Sequence, residues 1–422
     1  MRTHRSRESV WIVPSIYAAG AIVAGLTLPH LEYRLAPHLG SDVSVPVAMA
    51  MYSAIASGMI ALTGIVFSLT FVMVQFSATA YSPRLVIWLA RDPLISHALG
   101  VFIATFVYAL AALGRIDRAD VSVPFISAMT VLGLLLTSIA LFVALLHRIA
   151  RLQVNRMLTF TGERGREVID ALYAPFDPAV TAANRPDLAK KAPSQICSYR
   201  GQPLAVQRID TDALLYMARQ SGGVMEVLAA VGDTLIDSTP LVHVFDSRQF
   251  VDEHAIRGAF ELGEERTFEQ DPKYALRLLV DIGVRALSPA VNDPTTAVQA
   301  LDQIADLLVR LSRRRLEVGT YADAQGQVRV LIPFPTWDDF LSLAFNEICD
   351  YGATSVQVMR RMNALINDLL AAAPVERRET LRRWKLRLYA SIKKHFEDPD
   401  DQQRALMADR QGLGVSRRQS VA

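Results

Sequence analysis

Four long apolar stretches fill the first third of the chain, from Val10 to Leu28, Val47 to Ala80, Pro93 to Gly114 and Val123 to His147. Each reaches or approaches the roughly 20 residues that an α-helix needs to cross a hydrocarbon core. Four in succession, almost free of charge, predict an α-helical membrane protein with four transmembrane helices (about 10–28, 47–80, 93–114 and 123–147) in a transmembrane domain of residues 1–157. Arg2, Arg5 and Arg7 precede the first stretch as they would in a signal peptide. The apolar run nevertheless continues past Ala19-Gly20-Ala21 to Leu28 and is read as an uncleaved span.

The second stretch has two faces. At 100° per residue, Ala50, Ala54, Ser57, Ala61, Gly64, Ser68, Gln75 and Thr79 fall within roughly one 80° sector. Ile55, Met59, Leu62, Val66, Leu69, Met73 and Phe76 form a separate bulky stripe. A face of small residues lets helix backbones approach closely in lipid, so Ser57, Gly64, Ser68 and Gln75 mark either a helix-packing seam or the lining of a water-filled path. The span holds no Asp, Glu, Lys or Arg, which argues against a proton relay or a charge-coupled pump.

Beyond His147 the pattern becomes that of a soluble α+β domain. The fourth helix is expected to continue to about Leu172 before Pro175 and Pro178 break it, and Thr181 to Pro193 reads as a linker; residues 158–195 are helical extension and linker. Residues 196–247 form a small β segment: strands near Val206–Ile209, Val224–Val231 and Leu241–Phe245, with a short helix capped by Asp210 or Thr211 and stopped by Gly222-Gly223. The string VGDTLIDSTPLVHVF resembles the hairpin of lipoyl and biotinyl carrier domains, which implies a small β-barrel-like scaffold. The carrier lysine is missing, since no Lys lies between Lys191 and Lys273.

Residues 248–396 are mainly helical. Asp271-Pro272 and Asp293-Pro294 each set an N-cap acid before a Pro at the first helical position, as does Asp92-Pro93 at the third span. Ala275, Leu279, Ile282 and Ala286 line one helix face; Val298, Leu301, Ala305, Leu308 and Leu311 line another. Thr336 and Asp339 form a capping-box pattern for a helix ended by Gly352. Val328, Val330 and Ile332 alternate as a short strand. Helices follow at about Ser355–Ala372 and Glu376–Phe396, and residues 397–422 read as a disordered polar tail.

Composition sharpens this picture. The chain is 51% hydrophobic and 20% charged, with mean hydropathy +0.23, and soluble domains carry about 25% charged residues. Lys+Arg 44 against Asp+Glu 42 leaves net +2, too balanced for an electrostatic nucleic-acid binder. Cys197 and Cys349 lie far apart, which excludes a disulfide scaffold and fits a reducing compartment. Arg2, Arg5, Arg7, Arg84, Arg91, Arg148, Arg151 and Arg156 flank one side of the spans, and Arg34, Arg115 and Arg118 the other. The positive-inside rule therefore places both termini in the cytoplasm.

Three polar groupings carry candidate chemistry. In Glu265 to Ala297, Arg277, Asp281 and Arg285 are spaced four apart as an ion ladder. Ser288, Asn292 and Asp293 precede a helix whose free N–H groups could meet an anion. That segment reads either as a capped inter-helix turn or as a ligand or partner site. In Glu376 to Phe396, the stripe Leu381, Trp384, Leu388 and Ile392 beside dense Arg and Lys fits a helix packed on the domain or one lying on an anionic leaflet. Arg310, Arg313, Arg314 and Arg315 serve a helix C-terminus. Walker, GxGxxG, HExxH and GxSxG motifs are absent and the eight histidines are scattered, so no catalytic constellation, metal or cofactor is expected.

The strings GIVFSLTFVMVQFSATAYSPRLV (from Gly64 to Val86) and LVDIGVRALSPAVNDPTTA (from Leu279 to Ala297) resemble the bacterial membrane proteins of domain of unknown function 2254, over roughly residues 10–390. The resemblance implies an inner-membrane protein with a large cytoplasmic domain and brings no activity. It marks Ser68, Gln75, Ser82, Arg84, Arg266, Asp271, Asp281, Arg285, Ser288, Asn292 and Asp293 as family-typical polar positions. The expected function is an oligomeric channel or transport-like pore with a cytoplasmic regulatory domain. The alternative is a membrane-anchored scaffold or sensor that binds a partner or small ligand. The expected partners are the lipid bilayer and further copies of the chain.

Overall fold

A computed structural model describes residues 12–35, 40–41, 44–80, 93–115, 123–150, 154–178, 185–188 and 190–414. The chain divides into two compact units, one of Ser6–Gln153 and one running from Val154 onward.

The first unit holds α1 (Ile12–Leu35), α2 (Val45–Ala80), α3 (Pro93–Leu113) and α4 (Phe125–Ala150), with β1 (Gly40–Ser41) paired antiparallel to β2 (Val123–Pro124). All four helices are long and apolar enough to cross a membrane. The centre is α3, whose Ala98, Phe102, Ala109 and Ala112 are wholly buried; α1, α2 and α4 pack around it. The outer helices leave Ile16, Val23, Phe71 and Leu136 more than half exposed, a surface that is costly in water and costless in lipid. Two polar pairs form between helices: Thr105 Oγ1 lies 2.9 Å from Ser138 Oγ, and Tyr108 Oη 3.2 Å from Ser127 Oγ. Glu32 is buried and accepts from the backbone N–H groups of Ile126 (2.7 Å) and Ser127 (3.1 Å). It thus caps α4 from another helix, satisfying donors that helix leaves open. Sequence reading missed Glu32, because its partner is remote in the chain.

The second unit begins with α5 (Val154–Leu172). Strands β3 (Gln195–Ser198), β4 (Leu204–Ile209), β5 (Val224–Val227), β6 (Thr234–Leu235), β7 (Pro240–Phe245), β8 (Phe260–Gly263), β9 (Thr320–Ala322) and β10 (Val328–Leu331) build two sheets, ordered β3-β7-β5-β10-β9 and β6-β4-β8. Val206, Phe260, Met225, Val242 and Val330 from both sheets share one core with Leu214 of α6 (Thr211–Ser221). As expected, Asp210 caps α6 and Gly222 ends it in the left-handed region.

The barrel expectation is corrected. Neither sheet closes: the two strands of the hairpin-like string part, β6 pairing with β4 in the smaller sheet and β7 with β3 and β5 in the larger. From about a hundred residues downstream, β10 extends the larger sheet in parallel with β5, Val330 opposite Met225. The larger sheet is open, with β3 and β9 at its edges.

After α7 (Glu253–Gly258), a helical bundle is formed by α5 with α8 (Pro272–Ala286), α9 (Pro294–Ser312), α10 (Trp337–Tyr351), α11 (Val356–Ala372) and α12 (Arg378–His395). The periodic apolar faces read from sequence are buried, and Thr336 with Asp339 makes the capping box. The stripe Leu381, Trp384, Leu388 and Ile392 packs into this bundle.

The disordered-tail expectation is also corrected, up to Gly414. Asp398 caps α13 (Pro399–Leu406), Asn363 Nδ2 donates to the Leu406 carbonyl, and the buried Asp409 accepts from the backbone of Gln411 and Gly414. Local polarity was offset by contacts with α11. Residues 415–422 lie outside the described residues, as do Ser82, Arg84 and, in the expected linker, residues 181–184 and 189.

Candidate functional site

On α2 the first four residues of the bulky stripe face inward, Met59 and Val66 buried with Ile55 and Leu62 packed beside them. Leu69 is exposed, and the side chains of Met73 and Phe76 lie outside the described residues. Ser57, Gly64 and Ser68 are exposed, and a Cβ added at Gly64 would meet nothing within 4 Å. No helix of the same chain covers this seam among the described residues. The arc is centred on the small residues, with Val47, Ile65 and Val72 projecting on one flank and Ile60, Phe67 and Phe71 on the other. Thr63 and Thr70 donate to carbonyls one turn back at 2.7 and 2.8 Å, whereas Ser57 and Ser68 make no side-chain hydrogen bond among the described residues. Gln75 lies on the helix, but its side chain is outside the described residues.

The second candidate region is divided by α8. At its start, Arg266 Nε and Nη2 donate to Asp271 Oδ2 at 2.8 and 2.6 Å. Asp271 is 1% exposed and its Oδ1 has no hydrogen-bond partner. Burial pushes this carboxyl above its ordinary range, with Arg266 and Lys273 opposing. The capping expectation for Asp271 is corrected: it makes no side-chain cap bond, and its Oδ2 is held by Arg266 instead. Gly232 (φ +91°) closes over the pair from the turn before β6, and an added Cβ there would strike Asp271 Oδ2 and Arg266 Nη2. The Arg266 guanidinium lies 5.1 Å from the Tyr274 ring centre. Tyr173, at the end of α5, is fully buried with an unpartnered hydroxyl, its acidity weakened by burial and by the Asp271 charge. This group is a sealed joint between the β turn and the bundle.

Halfway along α8, Arg277 bridges Asp281 and Glu347 of α10, and this pairing holds the Glu347 carboxyl below its usual range. The expected ladder is therefore partly an inter-helix tie. Arg285 sits in the last turn of α8, about 20 Å from Asp271 at 1.5 Å per residue. Ser288, Asn292 and Asp293 form the turn to α9. Asn292 takes a left-handed φ of +47°, which Asn tolerates better than most residues. Asp293 accepts from Thr296 N at 3.1 Å and from Thr296 Oγ1 at 2.6 Å. The α9 N-terminus thus already holds a carboxylate where an anion would bind. Asp293→Ala should cost about 1 kcal/mol as a lost cap, measured as a lower unfolding midpoint; unchanged stability with lost function would instead mark a ligand site.

The arginine cluster serves structure. Arg310 and Arg314 both pair with Asp170 of α5, and Arg314 also donates to the Tyr173 carbonyl. Among the described residues, no three His, Cys, Asp or Glu side chains gather as metal ligands would.

The family described as "Predicted membrane protein (DUF2254)" matches residues 7–368. An uncharacterized protein of Mycobacterium tuberculosis (strain ATCC 25618 / H37Rv) is 26% identical over 378 residues, covering 85% of this chain and 71% of its own. An uncharacterized protein of Mycobacterium bovis has the same identity and coverage. No solved structure matches the chain.

Proposed function

The chain belongs to the DUF2254 family of predicted membrane proteins, and from that premise we propose that it works as an oligomeric pore of the bacterial inner membrane, with both termini cytoplasmic. The unit from Val154 onward is its regulatory domain, and Arg266, Asp271, Asp281 and Arg285 are tie points within that domain. One observation carries the reading: the small, serine-bearing seam of α2 lies at the middle of the arc that its own chain leaves open. Hydroxyls without partners are poorly served by hydrocarbon, and small residues gain an advantage in lipid where another helix approaches. A second copy meeting the Ser57–Gly64–Ser68 seam supplies that helix, and Ser68 with Gln75 supplies the wetted lining.

The test is thiol accessibility in proteoliposomes. Cys197 and Cys349 are buried, and burial pushes their thiols up to about 11 and about 12, so they react slowly. Ser68→Cys should react with a membrane-impermeant thiosulfonate and change ion flux, whereas Ile60→Cys on the flank should not. Equal inertness of both, with no flux, would replace the pore by the scaffold or sensor.

A further inference from the structure

The membrane unit has an opening that its own helices leave unfilled. α3 packs closely against both α1 and α4, whereas α1 and α4 meet far less. α1 and α3 run side by side in one direction: a Cβ added at Gly100 would strike the Tyr17 ring, and one at Gly25 would strike Ala111. α4 runs back along α3, with Ser138 beside Thr105 and Ser127 beside Tyr108. Between α1 and α4 lies a crevice of about 390 Å³. Its floor is Ala104 and Tyr108 of α3, and its walls include Gly20 and Ala24 of α1 and Thr130 and Leu134 of α4. A Cβ added at Gly20 would meet nothing within 4 Å.

The chemistry of this crevice is that of hydrocarbon. Three lining side chains carry a hydroxyl, and each hydroxyl is engaged elsewhere. Tyr108 Oη lies 3.2 Å from Ser127 Oγ, Tyr17 Oη lies 3.2 Å from His97 Nδ1, and Thr130 Oγ1 donates to the Ile126 carbonyl at 2.8 Å. A buried water needs about two to four polar partners, and the lining is almost wholly apolar. Left empty, the walls would forgo dispersion contacts. An apolar cavity of about 150 Å³ binds benzene, and this one is more than twice that size.

Depth identifies the occupant. Every lining residue falls within the stretches of α1, α3 and α4 that are long and apolar enough to span a membrane. The crevice therefore opens at hydrocarbon depth, where the molecules at its mouth are lipid chains. Along α1 it extends from Ile16 to Ala24, about 12 Å at 1.5 Å per residue.

We propose that this crevice is a binding site for one acyl chain of a bilayer lipid, taken up sideways from its leaflet and held by apolar contact. Its lining residues come from α1, α3 and α4, so chain uptake is separate from self-association along the α2 seam.

The test uses the full-length protein in phosphatidylcholine vesicles doped with a phosphatidylcholine that carries a diazirine in its acyl chain, adducts being assigned by mass spectrometry. Val23 of α1 is 61% exposed and Tyr108 is 1% exposed. Irradiation should label Val23 by ordinary lipid contact, and Ala104 or Tyr108 through a chain seated in the crevice. Gly20→Leu has room for its side chain there and should lower the floor adducts several-fold with Val23 unchanged. Ala24→Leu, a second plug, should do the same. Val23 labelled with Ala104 and Tyr108 clean, or floor adducts indifferent to both plugs, would overturn the proposal. So would efficient disulfide formation between copies carrying Gly20→Cys, which would give the crevice to a second chain.

Discussion

Arg266→Ala is expected to cost about 3–5 kcal/mol, the range for leaving one member of a buried pair without its partner. The Asp271 side chain is 1% exposed, and removing Arg266 leaves its carboxylate in a site where Oδ1 already lacks a donor. The loss should depend on pH in a definite direction. In the folded chain, burial already raises the Asp271 carboxyl above its ordinary value, and losing Arg266 raises it further. A carboxyl that holds its proton more tightly folded than unfolded favours the fold as pH falls through the folded value. The variant's deficit is therefore largest near pH 8 and shrinks toward acid. Arg266→Ala with Asp271→Asn should recover most of it. Hydrogen exchange at α8 and β4 across pH reads this locally, and wild-type protection in Arg266→Ala at pH 8 would refute the account of the joint.

Gly64→Leu is expected to weaken self-association at least several-fold while leaving the four-helix unit intact. Within one chain an added Cβ at Gly64 meets nothing within 4 Å, so the larger side chain has room. Between two copies that meet along the seam, overpacking costs about 1–3 kcal/mol at each crowded contact, or roughly five- to more than a hundredfold in the association constant. Gly58 is equally open but lies roughly 80° from the seam's centre at 100° per residue, so Gly58→Leu should associate like wild type. Energy transfer between labelled copies in vesicles, titrated by dilution in lipid, measures both. Undiminished association of Gly64→Leu would place that face in lipid and remove the support for the pore.

The same physics separates what could be read along the chain from what could not. The four spans, the α8 and α9 apolar faces, the Asp293 cap and the Thr336–Asp339 box act within a turn or two of backbone. Residue order alone therefore determined them, and with them the membrane-protein class. Asp271-Pro272 carries the same cap pattern as Asp293-Pro294, yet only Asp293 caps. The difference is Arg266, which folds back on Asp271 under the Gly232 turn, and no spacing rule announces that turn's arrival. Glu32 is a similar case: its two acceptors meet the α4 N-terminus more than ninety residues away. The VGDTLIDSTPLVHVF string looked like a self-contained hairpin, but β4 draws its first strand, β6, into one sheet while β7 joins β3 and β5 in another. The polar stretch after Glu397 looked unstructured until α11 supplied donors to Leu406 O and Arg404 O. In each case the local signal named a group's needs, and the tertiary structure chose which distant partner met them. A buried charge, an open strand edge or an uncapped helix end is satisfied by whichever segment burial brings to it.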